Sequence, residues 1–93
     1  MRIEETRIFY MYLSDEEFEL LHEICGEFVD YGYHYSNGCW ITKLLSEQMI
    51  INIEDLLEKE HYHQLYEECN RGRADRIKEL INNIDDAMQD LMF

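Results

Sequence analysis

Tyr33-His34-Tyr35-Ser36-Asn37-Gly38-Cys39-Trp40-Ile41-Thr42 is the stretch that decides the fold class. Asn-Gly tolerates the positive φ angles of a type I′ turn, so residues 36–38 read as the turn of a hairpin. Aromatic and β-branched side chains flank it, and they suit a pleated surface. The expected strands are residues 33–35 and 39–42. Upstream, Ile8-Phe9-Tyr10-Met11-Tyr12-Leu13 has strand composition and could begin as early as Ile3. Its apolar groups point both ways, so it is expected to be covered on both faces or to lie centrally. Together these segments predict a three-stranded antiparallel sheet, whose strand order the sequence leaves open.

Helices fill the remainder. Ser14-Asp15-Glu16-Glu17 is a capping box, with Ser14 as N-cap and Glu17 three residues on. The helix it starts is expected to run to Asp30 or Tyr31 and stop near Gly32. Its apolar side is Phe18, Leu21, Cys25, Phe28 and Val29, widened by Leu20 and Ile24. A short helix is expected from Thr42 to Met49 or Ile50. Asn52 then reads as the N-cap of a longer helix carrying Ile53, Leu56, Leu57, Leu65, Tyr66 and Cys69, ended by Asn70-Arg71-Gly72. From near Ala74 a last helix carries Ile77, Leu80, Ile81, Ile84, Met88 and Leu91 on one stripe. The short connection predicts a C-terminal αα-hairpin. The fold class is therefore α+β: a small antiparallel sheet of about three strands packed against two to four helices, in one domain spanning residues 1–93.

Ninety-three residues, 46% of them hydrophobic, with one Trp, seven Tyr and four Phe, suffice for a modest core. No apolar run reaches the ~18 residues that span a bilayer, and the opening Met1-Arg2-Ile3-Glu4-Glu5 lacks the apolar stretch of a secretion signal. Three cysteines at irregular spacing (Cys25, Cys39, Cys69) give no disulfide framework. The expected location is the cytoplasm.

Charge carries the functional information. Twenty-one Asp and Glu against eight Lys and Arg give −13, beyond the magnitude of roughly 2–8 that solubility asks of a small domain. Such a balance disfavours direct binding to nucleic acid, whose phosphates are met by Lys and Arg. It favours a basic protein partner. Glu16, Glu19, Glu23, Glu27 and Asp30, spaced three, four, four and three apart, would share one helix face and form a ridge ~21 Å long. Like charges one turn apart cost a helix ~0.2–0.5 kcal/mol per pair. No Lys or Arg lies between Arg7 and Lys43, where seven acids fall. A row of carboxylates can take the place of a row of phosphates in an arginine-lined groove. Surface helices also carry acids for solvation alone, so the ridge needs structural support. Glu54, Asp55 and Glu58 are candidate supporting acids.

Other clusters point less far. Tyr33, Tyr35 and Trp40 are a candidate aromatic contact, or the core-facing side of the sheet. His61, His63, Glu67 and Cys69 contain ligand types but no metal-binding spacing, and neither metal nor cofactor is expected. Arg71, Arg73 and Arg76 are the one basic cluster, with Arg71 expected at the negative end of a helix. No phosphate loop, GxSxG or other nucleophile motif is present, and no enzymatic activity is expected.

In size, acidity and lack of catalytic motifs the chain resembles, by composition alone, the small phage proteins that inhibit CRISPR or restriction nucleases as nucleic-acid mimics. That resemblance implies an inhibitor acting in the host cytoplasm on a basic nucleic-acid-binding surface. The alternative is a small regulatory adaptor or immunity protein. It would hold a protein partner, or a second copy of itself in a homodimer, through an apolar or aromatic patch such as the Tyr–Trp hairpin or the terminal Leu91-Met92-Phe93.

Overall fold

The computed structural model describes residues 8–26, 29–34, 38–42 and 45–92. It is α+β, with short antiparallel strands and three α-helices among the described residues. The chain forms two compact units, Met1–Ile53 and Glu54–Phe93.

Among the described residues the first unit opens with β1 (Ile8–Phe9) and β2 (Tyr12–Leu13), where the sequence predicts a single strand, whose earliest start at Ile3 lies outside the described residues. The break has a local cause. β1 pairs with β5 (Leu45–Ser46), Phe9 lying opposite Leu45, whereas β2 pairs with β4 (Cys39–Thr42), Tyr12 lying opposite Ile41. Two residues separate the ladders on one side and three on the other. A one-residue mismatch of this kind ends one ladder and starts another. Fully buried Thr42 pins the junction: its Oγ1 accepts from Met11 N at 2.8 Å, and its own N donates to Met11 O at 3.0 Å.

β3 (Tyr31–His34) completes a sheet of order β2-β4-β3, all antiparallel. Tyr31 faces Thr42 and Tyr33 faces Trp40. Gly38, at φ +62°, supplies the left-handed backbone expected of this turn. Its neighbours Tyr35, Ser36 and Asn37 lie outside the described residues.

α1 (Asp15–Cys25) opens with the expected capping box: Glu17 N donates to Ser14 Oγ at 3.2 Å and Ser14 N to Glu17 Oε1 at 3.0 Å. It ends five residues before the expected stop. Gly26 is the C-cap, and a Cβ there would clash with the His22 carbonyl oxygen. Tyr31 and Gly32 are committed to the ladder opposite Thr42 and Ile41, so the chain must leave the helix before them. Gly32 is a strand residue, not a helix stop. Leu21 and Cys25 are buried on the helix, and Val29 is buried beyond it; Phe28 lies outside the described residues.

α2 (Glu47–Tyr62) is one helix, not two. Ser46 Oγ accepts from Met49 N at 3.2 Å and so caps it, while Asn52 sits inside, accepting from Gln48 Nε2. Here the side chain that caps is the one where strand β5 ends.

In the second unit a π-helical turn, His63–Glu67, follows α2. The wider turn shifts the phase of the apolar stripe. Gln64 takes a buried position, its Nε2 donating to Glu60 Oε1 at 2.8 Å, while Tyr66 and Cys69, expected in the stripe, are exposed. Cys69 adopts φ +54°. Asn70 then caps α3 (Arg71–Met92), its Oδ1 accepting from Arg73 N at 3.1 Å. The helix thus starts three residues before the expected Ala74, and Arg71 lies at the positive end of α3, not at the negative end of its predecessor. Ala74, Ile77, Leu80, Ile81 and Ile84 form the buried stripe, as their spacing predicts. Contacts from Glu54 to Asp85 and from Glu58 to Lys78 show the end of α2 and α3 running in opposite senses.

Candidate functional site

Within the first unit, the sheet register places Leu13, Tyr31, Tyr33, Trp40 and Thr42 on one face. α1 covers part of that face through rings. Phe18 stacks on Trp40 at 3.8 Å with planes 7° apart, and meets Tyr31 edge-on at 5.0 Å. His22 stacks on Phe18, and Tyr33 packs edge-on against Trp40 at 5.3 Å. Trp40 Nε1 donates to Asp15 Oδ1 at 3.0 Å, satisfying the indole while tying β4 to the first turn of α1. Burial pushes the Cys25 thiol up to about 11 and the Tyr31 phenol up to about 12, the nearby Cys25 adding to the latter. Both therefore stay neutral at physiological pH.

Phe18 and His22 fix the orientation of α1, and the helical period then aims its acids. Glu16, Glu19 and Glu23 are exposed and recur at three and four residues, on one outward side. The five-acid ridge is shorter than its spacing predicts. Asp30 is exposed but lies off the helix, between α1 and β3. Glu27 lies outside the described residues. From Glu16 to Glu23 the helix rises ~10 Å, about half the expected length. The aromatic candidates divide. Tyr33 is 41% exposed, Trp40 is half-buried and Tyr35 lies outside the described residues.

The second unit carries the three supporting candidates, and their environments differ. Asp55 is exposed. Glu58 Oε1 lies 3.8 Å from Lys78 Nζ. Glu54 is half-buried, and its carboxyl is pushed up to about 7 by burial, then by the charge of Asp85 and a hydrogen bond to it, with Asp55 and Glu58 adding to the effect. Near neutral pH Glu54 is therefore only partly ionised and presents less negative charge than a free glutamate. No sequence signal pairs these two residues, because only the packing of two helices brings them together.

At the π-helical turn, His63 Nδ1 is bonded to Glu67 Oε2, and its Nε2 lies 3.3 Å from Glu68 Oε1. The hydrogen bond to Glu67 raises its pKa above the usual imidazole value. Tyr62 and Tyr66, both exposed, pack at 4.5 Å. Among the described residues no group of three or more His, Cys, Asp or Glu is arranged to hold a metal ion, and no helix is long and apolar enough to cross a membrane.

Sequence reasoning missed one surface. Exposure alternates strictly along residues 8–13. Ile8, Tyr10 and Tyr12 are 55%, 52% and 58% exposed, while Phe9 and Met11 are half-buried and Leu13 is buried. The signal was present as a period of two, but with apolar residues at every position it did not say which set faces out.

No protein-family model, curated protein or solved structure matches the chain.

Proposed function

We propose that this chain is a non-enzymatic inhibitor that occupies a basic, nucleic-acid-binding surface of a nuclease complex, of the anti-CRISPR or anti-restriction kind. The supporting observation is the exposed row Glu16, Glu19 and Glu23 on α1, carried by a chain of net charge −13. Carboxylates one helical turn apart on a helix held by stacked rings form a pre-oriented set of acceptors for arginine. Asp15 and Asp30, both exposed in the same unit, extend the negative field. Glu54, Asp55 and Glu58 support it more weakly, since Glu54 is only partly ionised near neutral pH and Glu58 already meets Lys78. Steering by the net charge speeds encounter with a cationic groove.

Purified protein assayed against RNA-guided and restriction nucleases tests this reading. Reversal of Glu16, Glu19 and Glu23 to Lys should abolish inhibition while leaving the circular dichroism spectrum unchanged. Inhibition that survives the reversal sinks the mimicry.

The exposed apolar residues Ile8, Tyr10 and Tyr12 favour a second reading, a regulatory adaptor or immunity protein that holds its partner through apolar contact. High salt separates the two, because it screens charge and leaves apolar burial intact.

A further inference from the structure

We propose that the exposed side of residues 8–12, formed by Ile8 of β1, Tyr10 of the connection and Tyr12 of β2, is a docking surface for an extended, lysine- or arginine-bearing segment of a protein partner. The three side chains are each more than half exposed and recur at every second residue across the junction of β1 and β2. On the same side of the sheet lie Gly32, which has no side chain, and half-buried Ile41, opposite Tyr12.

Two features select an extended occupant. Among the described residues β2 is an outer strand in the order β2-β4-β3, and β1 pairs with β5 alone. Residues 8–13 also contain no charge and no proline, two of the devices by which strands at sheet edges repel an added strand, although β1 and β2 are short and a one-residue mismatch lies between their ladders. Strand addition uses main-chain hydrogen bonds at such an edge and reads alternate side chains, the period these three residues display. Charge selects the kind of segment. A second copy would bring another −13 to the same place, and the two would repel. A cationic segment is attracted by the same field. For the sign of the occupant's charge the proposal rests on the reading above; for its place and shape it does not.

Amide chemical-shift titrations of the full chain test it with three short peptides: alternating Lys and Val, alternating Glu and Val, and oligolysine. The Lys–Val peptide should bind best and shift the amides of residues 8–13. The double variant Ile8→Ser/Tyr10→Ser should lower its affinity about tenfold, as expected for lost apolar burial. Tyr10→Thr keeps strand propensity and should lower it by a smaller factor, which covers a folding failure of the double variant. Oligolysine binding as tightly, with both variants neutral, overturns the apolar docking surface and leaves the acidic reading standing. Glu–Val binding as tightly as Lys–Val overturns the cationic occupant. Self-association that shifts the same amides, or the absence of any peptide binding there, overturns the proposal outright.

Discussion

At the scale of single residues, the carboxyl of Glu54 is the most informative group. Its folded pKa of about 7 lies above the ordinary 4.5 because burial and the Asp85 carboxylate disfavour its charge. Between those two values the folded state holds more protons than the unfolded one, so stability falls as pH rises through that window. Above about pH 7 the whole cost is present. Glu54→Gln should therefore raise thermal stability at pH 8, by about 1 kcal/mol once solvent screening of a half-buried pair is allowed for. At pH 5 the gain should nearly vanish. Equal effects at both pH values would show that the Glu54 carboxyl is not raised by its surroundings. Cys69 offers a second test. A left-handed backbone penalises a β-carbon, so Cys69→Gly should stabilise the protein by about 0.5–1 kcal/mol in denaturant melts. A loss of stability would show that the cysteine side chain contributes more than its strain costs. Neither residue stood out in the sequence. The Glu54–Asp85 pair joins residues thirty-one positions apart on two helices, and a left-handed turn is ordinarily announced by glycine or asparagine, not cysteine.

At the scale of elements, the junction between β1 and β2 hangs on one hydroxyl. Thr42→Val keeps the shape but leaves Met11 N without its acceptor, 2.8 Å away, in a part-buried setting. It should cost about 1–3 kcal/mol, read as a lower denaturant midpoint with an unchanged slope. A neutral Thr42→Val would mean that another acceptor replaces the hydroxyl. The elements also show where local chemistry suffices to predict structure. The Ser14–Glu17 capping box and the α3 stripe at Ile77, Ile81 and Ile84 were legible because their causes lie within one or two helical turns. The end of α1 was not, because pairing of Tyr31 with Thr42, eleven residues away, decides it. Asn52 was misread as a cap for a related reason. Asparagine can cap or sit mid-helix, and only the end of β5 selects Ser46. The π-helical turn left no composition signal, so the phase shift that exposes Tyr66 could not be foreseen.

At the scale of the whole molecule, charge is the property that survives every local correction. The row on α1 is about half as long as its spacing promised, yet Glu16, Glu19 and Glu23 face outward, and −13 remains. The candidate site was legible in sign and in part of its placement, since composition and helical period determine both. Its extent was not, because that depended on where α1 stops. The proposed charge mimicry is tested most directly by affinity for any nuclease the chain is found to inhibit, measured as a function of salt for the natural chain and for the Glu16→Lys/Glu19→Lys/Glu23→Lys variant. The variant's net charge rises by six, from −13 to −7. The natural chain should lose affinity steeply as salt rises, and the variant should bind at least a hundredfold more weakly at low salt, the scale of a few lost charge-assisted contacts. A flat salt profile, or a variant that binds as tightly as the natural chain, would rule out the proposed mimicry.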